Sequence, residues 1–442
     1  MSTTRRDLLT SALLGAGYVG LRALVTGIPA AVLLKGTRAF ADGSASIDPN
    51  RAQYVILQTS GNGDPINANA PGTYADPKIV HSLDPTMAAT AMTIGGQQTM
   101  AALPWSTLPQ AVLDRTSFWH IMTNTPVHPR EPDVLSLLNT TKANEMLPSL
   151  LSKQLATPLG TIQQQPITLG ASSPSEGLRF AGQALPIIPP LALKATLTNP
   201  GGALANLAQL QHDRDQTLSQ LDDIYRETAT KAQKTYLDAL ITSQTQVRSI
   251  QQNLLGALDS IKDNSVSAQI TAAIVLIQMN VSAVITIHIP FGGDNHFDSN
   301  LSTETAQTPT GLKSIADLMA QLATNSNANG SLSDQVSFLS LNVFGRTLGP
   351  GNTDGRQHND LHQVSLAIGK PFLGGIVGGV GPDGGDFGCL SIDSTTGAAN
   401  GDIGPTDTLA AFGKTMMSAV GIDDGYIASV IPTGKIVRGA LQ

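Results

Sequence analysis

The chain has a single cysteine, Cys389, among 442 residues. No intramolecular disulfide is possible, so the fold must be held by packing alone. With no thiolate-stabilising cluster around it in "DFGCLS", Cys389 reads as a small buried residue and not as a nucleophile. Charge is also scarce: Asp, Glu, Lys and Arg make up only 13% of the chain, and 26 Lys+Arg are outnumbered by 33 Asp+Glu. Without a basic field to displace counterions from phosphates, nucleic acid is excluded as a partner. Long hydrophobic runs are missing too. The N-terminal apolar region is split by Arg22, and neither piece reaches the roughly 20 residues a membrane span requires. The glycine-rich stretch "GGIVGGVGPDGGDFG" lacks the Lys-Ser/Thr ending of a phosphate loop, and "GNGD" is not a dinucleotide fingerprint.

What is present begins at the N-terminus. "TTRRDLLTSALLGAG" carries Arg5 and Arg6, then Leu8 and Leu9, then a weakly apolar region ending near "RAFADG". This is the pattern of a twin-arginine export signal with a small-x-small cleavage site at Ala39–Ala41. The expectation is a signal peptide over 1–41, the twin-arginine export machinery as partner, and a periplasmic or otherwise exported product. If the signal is not cleaved, it stays as a membrane anchor. That route carries folded proteins, which agrees with the single cysteine. Loss of residues 1–41 removes five basic residues and Asp7, leaving 21 Lys+Arg against 32 Asp+Glu, a net charge of −11.

Residues 42–51 read as a polar linker, and 52–442 as one large domain. Buried strands are predicted at 54–58, 118–122, within "QPITLGASS", at 282–290 and at 335–342, with one more in "HQVSLAIG". "LPIIPPLAL" is predicted to be non-helical because of its prolines. Residues 203–263 contain no proline and one glycine, Gly256. Leu218, Leu221 and Tyr225, then Leu240, Val247, Ile250, Leu254, Leu258 and Ile261, recur at helical spacing, which predicts a helical insertion. "SVSAQITAAIVLIQMN", "TGLKSIADLMAQLATN" and "TDTLAAFGKTMMSAVG" are further helices, the last capped by Thr406 or Asp407. Strands alternating with helices predict an α/β fold with a mainly parallel sheet.

Polar residues cluster after the strands. Asp64 follows the first; Thr123, Thr125 and His128 follow the second. Asp294, His296 and Asp298 follow the strand at 282–290, and Asn342 and Arg346 follow the next. In a parallel sheet these loops emerge on one edge, where ligand sites form. "GRQHNDLHQ" adds His358, Asp360 and His362. Imidazole and carboxylate together favour a divalent zinc, manganese or iron ion. His288 reads as a hydrogen-bonded core residue and His212 as a solvated helix residue, while His81 and His120 form no pattern.

At these same stretches the chain resembles a family of twin-arginine-exported proteins of unassigned function, related to alkaline phosphatases and sulfatases. Members show "GGxDGLNxxVP", "GGWDTHxNQ", "EFGRT" and "GRDHW". Here the matching stretches are "SGNGDPINANAPG", "FGGDNHFDSN", "NVFGRT" and "GRQHND", in the same order. The resemblance implies an alkaline-phosphatase-like sandwich with metal at the strand ends and a hydroxyl nucleophile attacking a phosphate or sulfate ester. It implies Asp64, Asp294, His296 and His358 as metal ligands. Thr125 is the candidate nucleophile, and Arg346 would orient the anionic ester. There are departures: Val343 stands where the family has glutamate, Gln357 where it has aspartate, Asn359 where it has tryptophan, and "HPREPDVL" lacks the family's serine and second histidine. His362 and Asp360 are reserve ligands. These losses leave a second expectation: a catalytically degenerate member that serves as a cell-envelope binding or assembly protein.

Overall fold

The computed structural model describes residues 47–161, 163–172, 177–198, 256–327 and 329–442. The predicted signal peptide and most of the predicted helical insertion lie outside these residues. The chain divides into two compact units.

The larger unit, Ala41–Ile187 with Ser282–Gln442, is built on a seven-stranded sheet. Its strands are β1 (Tyr54–Ser60), β2 (Thr116–Ile121), β3 (Ile167–Thr168), β4 (Val284–Ile287), β5 (Val336–Asn342), β6 (Gln363–Ile368) and β7 (Gly375–Val377). The spatial order is β7-β2-β6-β5-β1-β4-β3. β1 runs parallel to β4 and β5, β3 parallel to β4, and β7 parallel to β2. Only β6 is antiparallel, to both β5 and β2. The fold is therefore α/β with a mainly parallel sheet. Every residue of β1, β2, β4, β5 and β6 is buried, as expected of strands covered on both faces.

One face packs on α1 (Leu147–Leu159) and α5 (Thr408–Ala419). Val55, Leu57, Trp119, Ile121, Leu339 and Leu341 share a core with Leu150, Leu151 and Leu155 of α1 and Phe412, Met416 and Met417 of α5. Trp119 meets the Phe412 ring edge-on at 5.5 Å. The helix α4 (Ser302–Thr324) lies against the chain leaving β4. A Cβ on Gly311 would come within 2.6 Å of the Phe291 ring, so glycine sets this close approach.

The smaller unit contains Ile188–Val281. "LPIIPPLAL", expected to be non-helical, is so over residues 185–189, but its last four residues enter the helix α2 (Pro190–Thr198). The helix starts on Pro190, and the first turn tolerates proline because its N–H would have no intrahelical acceptor. α3 (Val266–Gln278) is capped by Ser265, whose side chain accepts from the Ala268 N–H. α1 and an antiparallel hairpin, Ala89–Ile94 with Gln97–Ala102, carried no sequence prediction. At α5 the cap position is Asp407, with no side-chain cap bond. Among the described residues no helix is long and apolar enough to cross a membrane.

Candidate metal centre

β1, β2, β4 and β5 point the same way, so the loops after them leave on one edge. Three of those loops bring His128, Asp294, His296 and His358 together. One ligand atom from each lies within 4.8 Å of all the others, and the group is able to hold a metal ion. His128 opens a short 3-10 helix, His128–Arg130. Asp294 and His296 sit in the loop after β4. His358 is on a two-residue strand, His358–Asn359, paired with Gly345–Arg346 just beyond β5.

The rings are aimed by their outer nitrogens. His128 Nδ1 is 2.6 Å from the Gly61 carbonyl oxygen, His296 Nδ1 is 2.8 Å from Gln357 Oε1, and His358 Nδ1 bonds the Pro126 carbonyl oxygen. An oxygen at each position accepts, so each Nδ1 carries the proton and each Nε2 is left with a lone pair. Those three Nε2 atoms face one another. His358 Nε2 is 2.8 Å from His296 Nε2 and 3.1 Å from His128 Nε2. Lone pairs at such distances repel unless a cation or a proton lies between them. Asp294 adds Oδ1 at 3.3 Å from His296 Nε2 and Oδ2 at 3.4 Å from His128 Nε2. Bonds of about 2.0–2.1 Å to zinc separate ligands by roughly 2.9 Å at right angles and 3.3–3.4 Å in a tetrahedron. These four spacings, 2.8–3.4 Å, lie close to that range, and outer-nitrogen hydrogen bonding is the usual support of metal-binding imidazoles.

Phe344 walls the site. It is buried and stacks on His358 with centroids 4.0 Å apart, and meets His128 edge-on at 5.0 Å. The β1 loop passes so close that a Cβ on Gly63, at φ +63°, would lie 2.0 Å from the Phe344 ring.

Arg346 does not stand ready for an ester. It is fully buried. Its Nε donates to the Gly63 carbonyl, Nη1 to the Arg356 carbonyl, and Nη2 to the carbonyls of Asn62 and Gly293. Nη2 also donates to Asp294 Oδ1 at 2.9 Å. Its role is to fix the carboxylate. Burial pushes the Asp294 carboxyl up, but the hydrogen bond and charge of Arg346, with His128 and His296 adding to them, hold it below its ordinary value. Burial lowers the His358 pKa against the opposing bond to Pro126, so this ring is neutral near pH 7.

Asp64 is absent from the ligand group. It is buried, and its Oδ1 accepts the Phe291 and Gly293 N–H groups at 3.0 and 2.9 Å. It shapes the turn into Asp294, and His128 takes the place expected of Asp64. Thr125 is fully buried, and its hydroxyl donates to the Thr123 carbonyl at 3.0 Å, which leaves it badly placed as a nucleophile. The reserve ligand His362 is buried and bonded to His120. Asp360 accepts the Thr123 and Asn124 N–H groups with its carbonyl. Val343 belongs to the core, and Asn359 bonds Asp386 and the Phe387 carbonyl. Cys389 is buried, and desolvation pushes its thiol up to about 12.

Behind the ligands is a closed ion pair. Arg356 and Glu304 are fully buried, with Nε to Oε2 at 2.7 Å and Nη2 to Oε1 at 3.2 Å. Glu304 Oε2 also accepts from Asn295, between Asp294 and His296, at 3.3 Å. The Arg356 N–H donates to the Asn295 carbonyl at 2.9 Å. This joins the two loops that carry three of the four ligands.

Fold and site define a class: an α/β protein with a mainly parallel sheet and a three-histidine, one-aspartate candidate metal centre at the carboxyl edge of its strands. No protein-family model matches the chain, and no curated protein matches it at a significant level.

Proposed function

We propose that this chain is an exported, metal-dependent hydrolase-like protein of the phosphatase and sulfatase type, related to the family its loops resemble. The observation that carries the reading is the gathering of one ligand atom from each of His128, Asp294, His296 and His358 within 4.8 Å of one another. A divalent zinc, manganese or iron ion held there would polarise an ester oxygen and activate a hydroxyl or water nucleophile. The chain's own contribution is to aim three imidazoles at one place, hold the Asp294 carboxylate through Arg346, and wall one side with Phe344. Export and a periplasmic location follow from the N-terminal pattern. Replacing Arg5 and Arg6 with lysine should trap the precursor in the cytoplasm, visible on fractionation.

A second reading has specific support. Thr125 is sealed and Arg346 is buried and bonded to Asp294 and four backbone carbonyls, which favours a metal-holding member that has lost turnover and serves as a cell-envelope binding or assembly protein. The deciding experiment starts with protein purified without chelator from its native host. Metal is measured by mass spectrometry, then aryl phosphate monoester, phosphodiester and aryl sulfate hydrolysis is assayed after metal reconstitution. About one metal per chain, with turnover abolished by His358→Ala, supports the hydrolase. Metal without turnover supports the second reading. No metal retained, and none taken up, overturns both.

A further inference from the structure

The three outer-nitrogen acceptors are not alike. Gly61 and Pro126 offer backbone carbonyls, which can only accept, so His128 and His358 are held permanently as Nδ1–H tautomers. His296 is held by a side-chain amide, Gln357. An amide can present oxygen or nitrogen in nearly the same outline. The Gln357 backbone is pinned both ways on Thr347: its N–H donates to Thr347 Oγ1 at 2.9 Å, and its carbonyl accepts the Thr347 N–H at 3.0 Å. The side chain itself is exposed, so only the amide is free to turn.

The two amide orientations suit two states of the site. With Oε1 toward His296, as in the structure, Nδ1 holds the proton and Nε2 offers its lone pair to an ion. With the NH2 group turned in, Nδ1 must accept and the proton moves to Nε2. There it meets two acceptors, His358 Nε2 at 2.8 Å and Asp294 Oδ1 at 3.3 Å. That arrangement turns the His296–His358 contact into a hydrogen bond when no ion is present, and leaves only the His128–His358 pair of lone pairs facing at 3.1 Å. It also closes the site to an ion.

We infer that Gln357 is a metal-coupled amide switch: it turns its nitrogen to His296 when the site is empty and its oxygen when an ion is bound. No charge changes on the protein in this step; one imidazole proton relocates from Nε2 to Nδ1 as the amide rotates. The inference rests on the metal-centre reading above. It also reinterprets the aspartate-to-glutamine departure at 357: this position supports a ligand and does not supply one. A glutamate there would accept in either orientation and lock the metal-ready tautomer.

The test uses the full mature chain with zinc as probe and histidine labelled with ¹⁵N. In the wild type, the His296 resonances should report Nε2–H without zinc and Nδ1–H with it. Gln357→Glu should show Nδ1–H in both states and bind zinc about tenfold more tightly. Gln357→Leu, a neutral control, should bind about tenfold more weakly, within the range seen for outer-shell partners. A His296 tautomer that is the same with and without zinc in the wild type overturns the switch, as does unchanged zinc affinity in both variants. Tighter binding by Gln357→Glu with its zinc-free His296 still in the Nε2–H form would reflect added charge alone and also overturns it. If the wild type takes up no zinc, the metal-centre reading and the switch fall together; zinc uptake with an unchanging His296 tautomer overturns the switch alone.

Discussion

Two groups of histidines lie in this protein, and their hydrogen bonds are arranged in opposite senses. In the interior, Asn67 Nδ2 donates to His362 Nδ1 at 3.3 Å, His362 Nε2 pairs with His120 Nδ1 at 2.9 Å, and His120 Nε2 reaches the Pro71 carbonyl at 3.0 Å. Every donor meets an acceptor, and the chain is complete with both rings neutral. At the rim, His128, His296 and His358 send their Nδ1–H groups outward and leave three Nε2 lone pairs facing one another. The first arrangement is a finished piece of core. The second lacks a positive charge at its centre, and that difference, more than the presence of histidine, marks a candidate site.

The comparison predicts separable phenotypes. The largest effect should come from His128→Ala or His358→Ala: zinc affinity by calorimetry should fall at least about a hundredfold, more than loss of an outer-shell partner costs, with little change in melting temperature. If His120→Gln lowered zinc affinity as much, the two groups would not be distinct. Next, Glu304→Gln leaves Arg356 buried beside a neutral partner and should cost about 3–5 kcal/mol in denaturant unfolding. A cost under 1 kcal/mol would remove this pair as the brace of the ligand loops.

The buried pair should also govern acid stability. Desolvation lowers His120 from 6.5 to about 4 and lowers His362 well below 6.5, with the neighbouring His120 charge adding to the latter. The unfolded chain therefore binds protons below about pH 6.5 that the folded chain refuses until about pH 4. Stability falls as pH drops through that window, by up to about 3 kcal/mol for His120. His120→Gln should flatten the profile, and an unchanged profile would assign the acid sensitivity elsewhere.

A smaller effect is expected at Arg346. Arg346→Lys cannot reproduce the fork that holds Asp294 and four carbonyls, and zinc affinity should drop about tenfold. The smallest is Thr125→Val, which loses one buried hydrogen bond worth about 1 kcal/mol. It should leave zinc affinity and any ester turnover untouched; abolished turnover with intact zinc binding would restore Thr125 as the nucleophile.

Much of this was legible in the sequence. The apolar runs at 54–58, 118–122, 282–290 and 335–342 all overlap strands of the sheet, because a strand buried on both faces needs continuous apolar residues. Asp294, His296 and His358 stood out because each follows such a run. His128 sat in view beside Pro129, yet nothing local separates a ligand there from a turn residue. Its Nδ1 partner is Gly61, 67 positions away. His120 gave no pattern, and His362 read as a reserve ligand, because the bond between them spans 242 positions.

The sequence by itself determined the α/β class, the lack of disulfides, the acidic balance and the loops in which polar residues gather, since each depends on composition or on short-range periodicity. Tertiary structure alone decided which of those residues meet. Strand order and register place His128 opposite His358, turn Asp64 toward backbone N–H groups, and seal Thr125. These are relations between distant segments, set by how the sheet pairs its strands, and no local spacing encodes them.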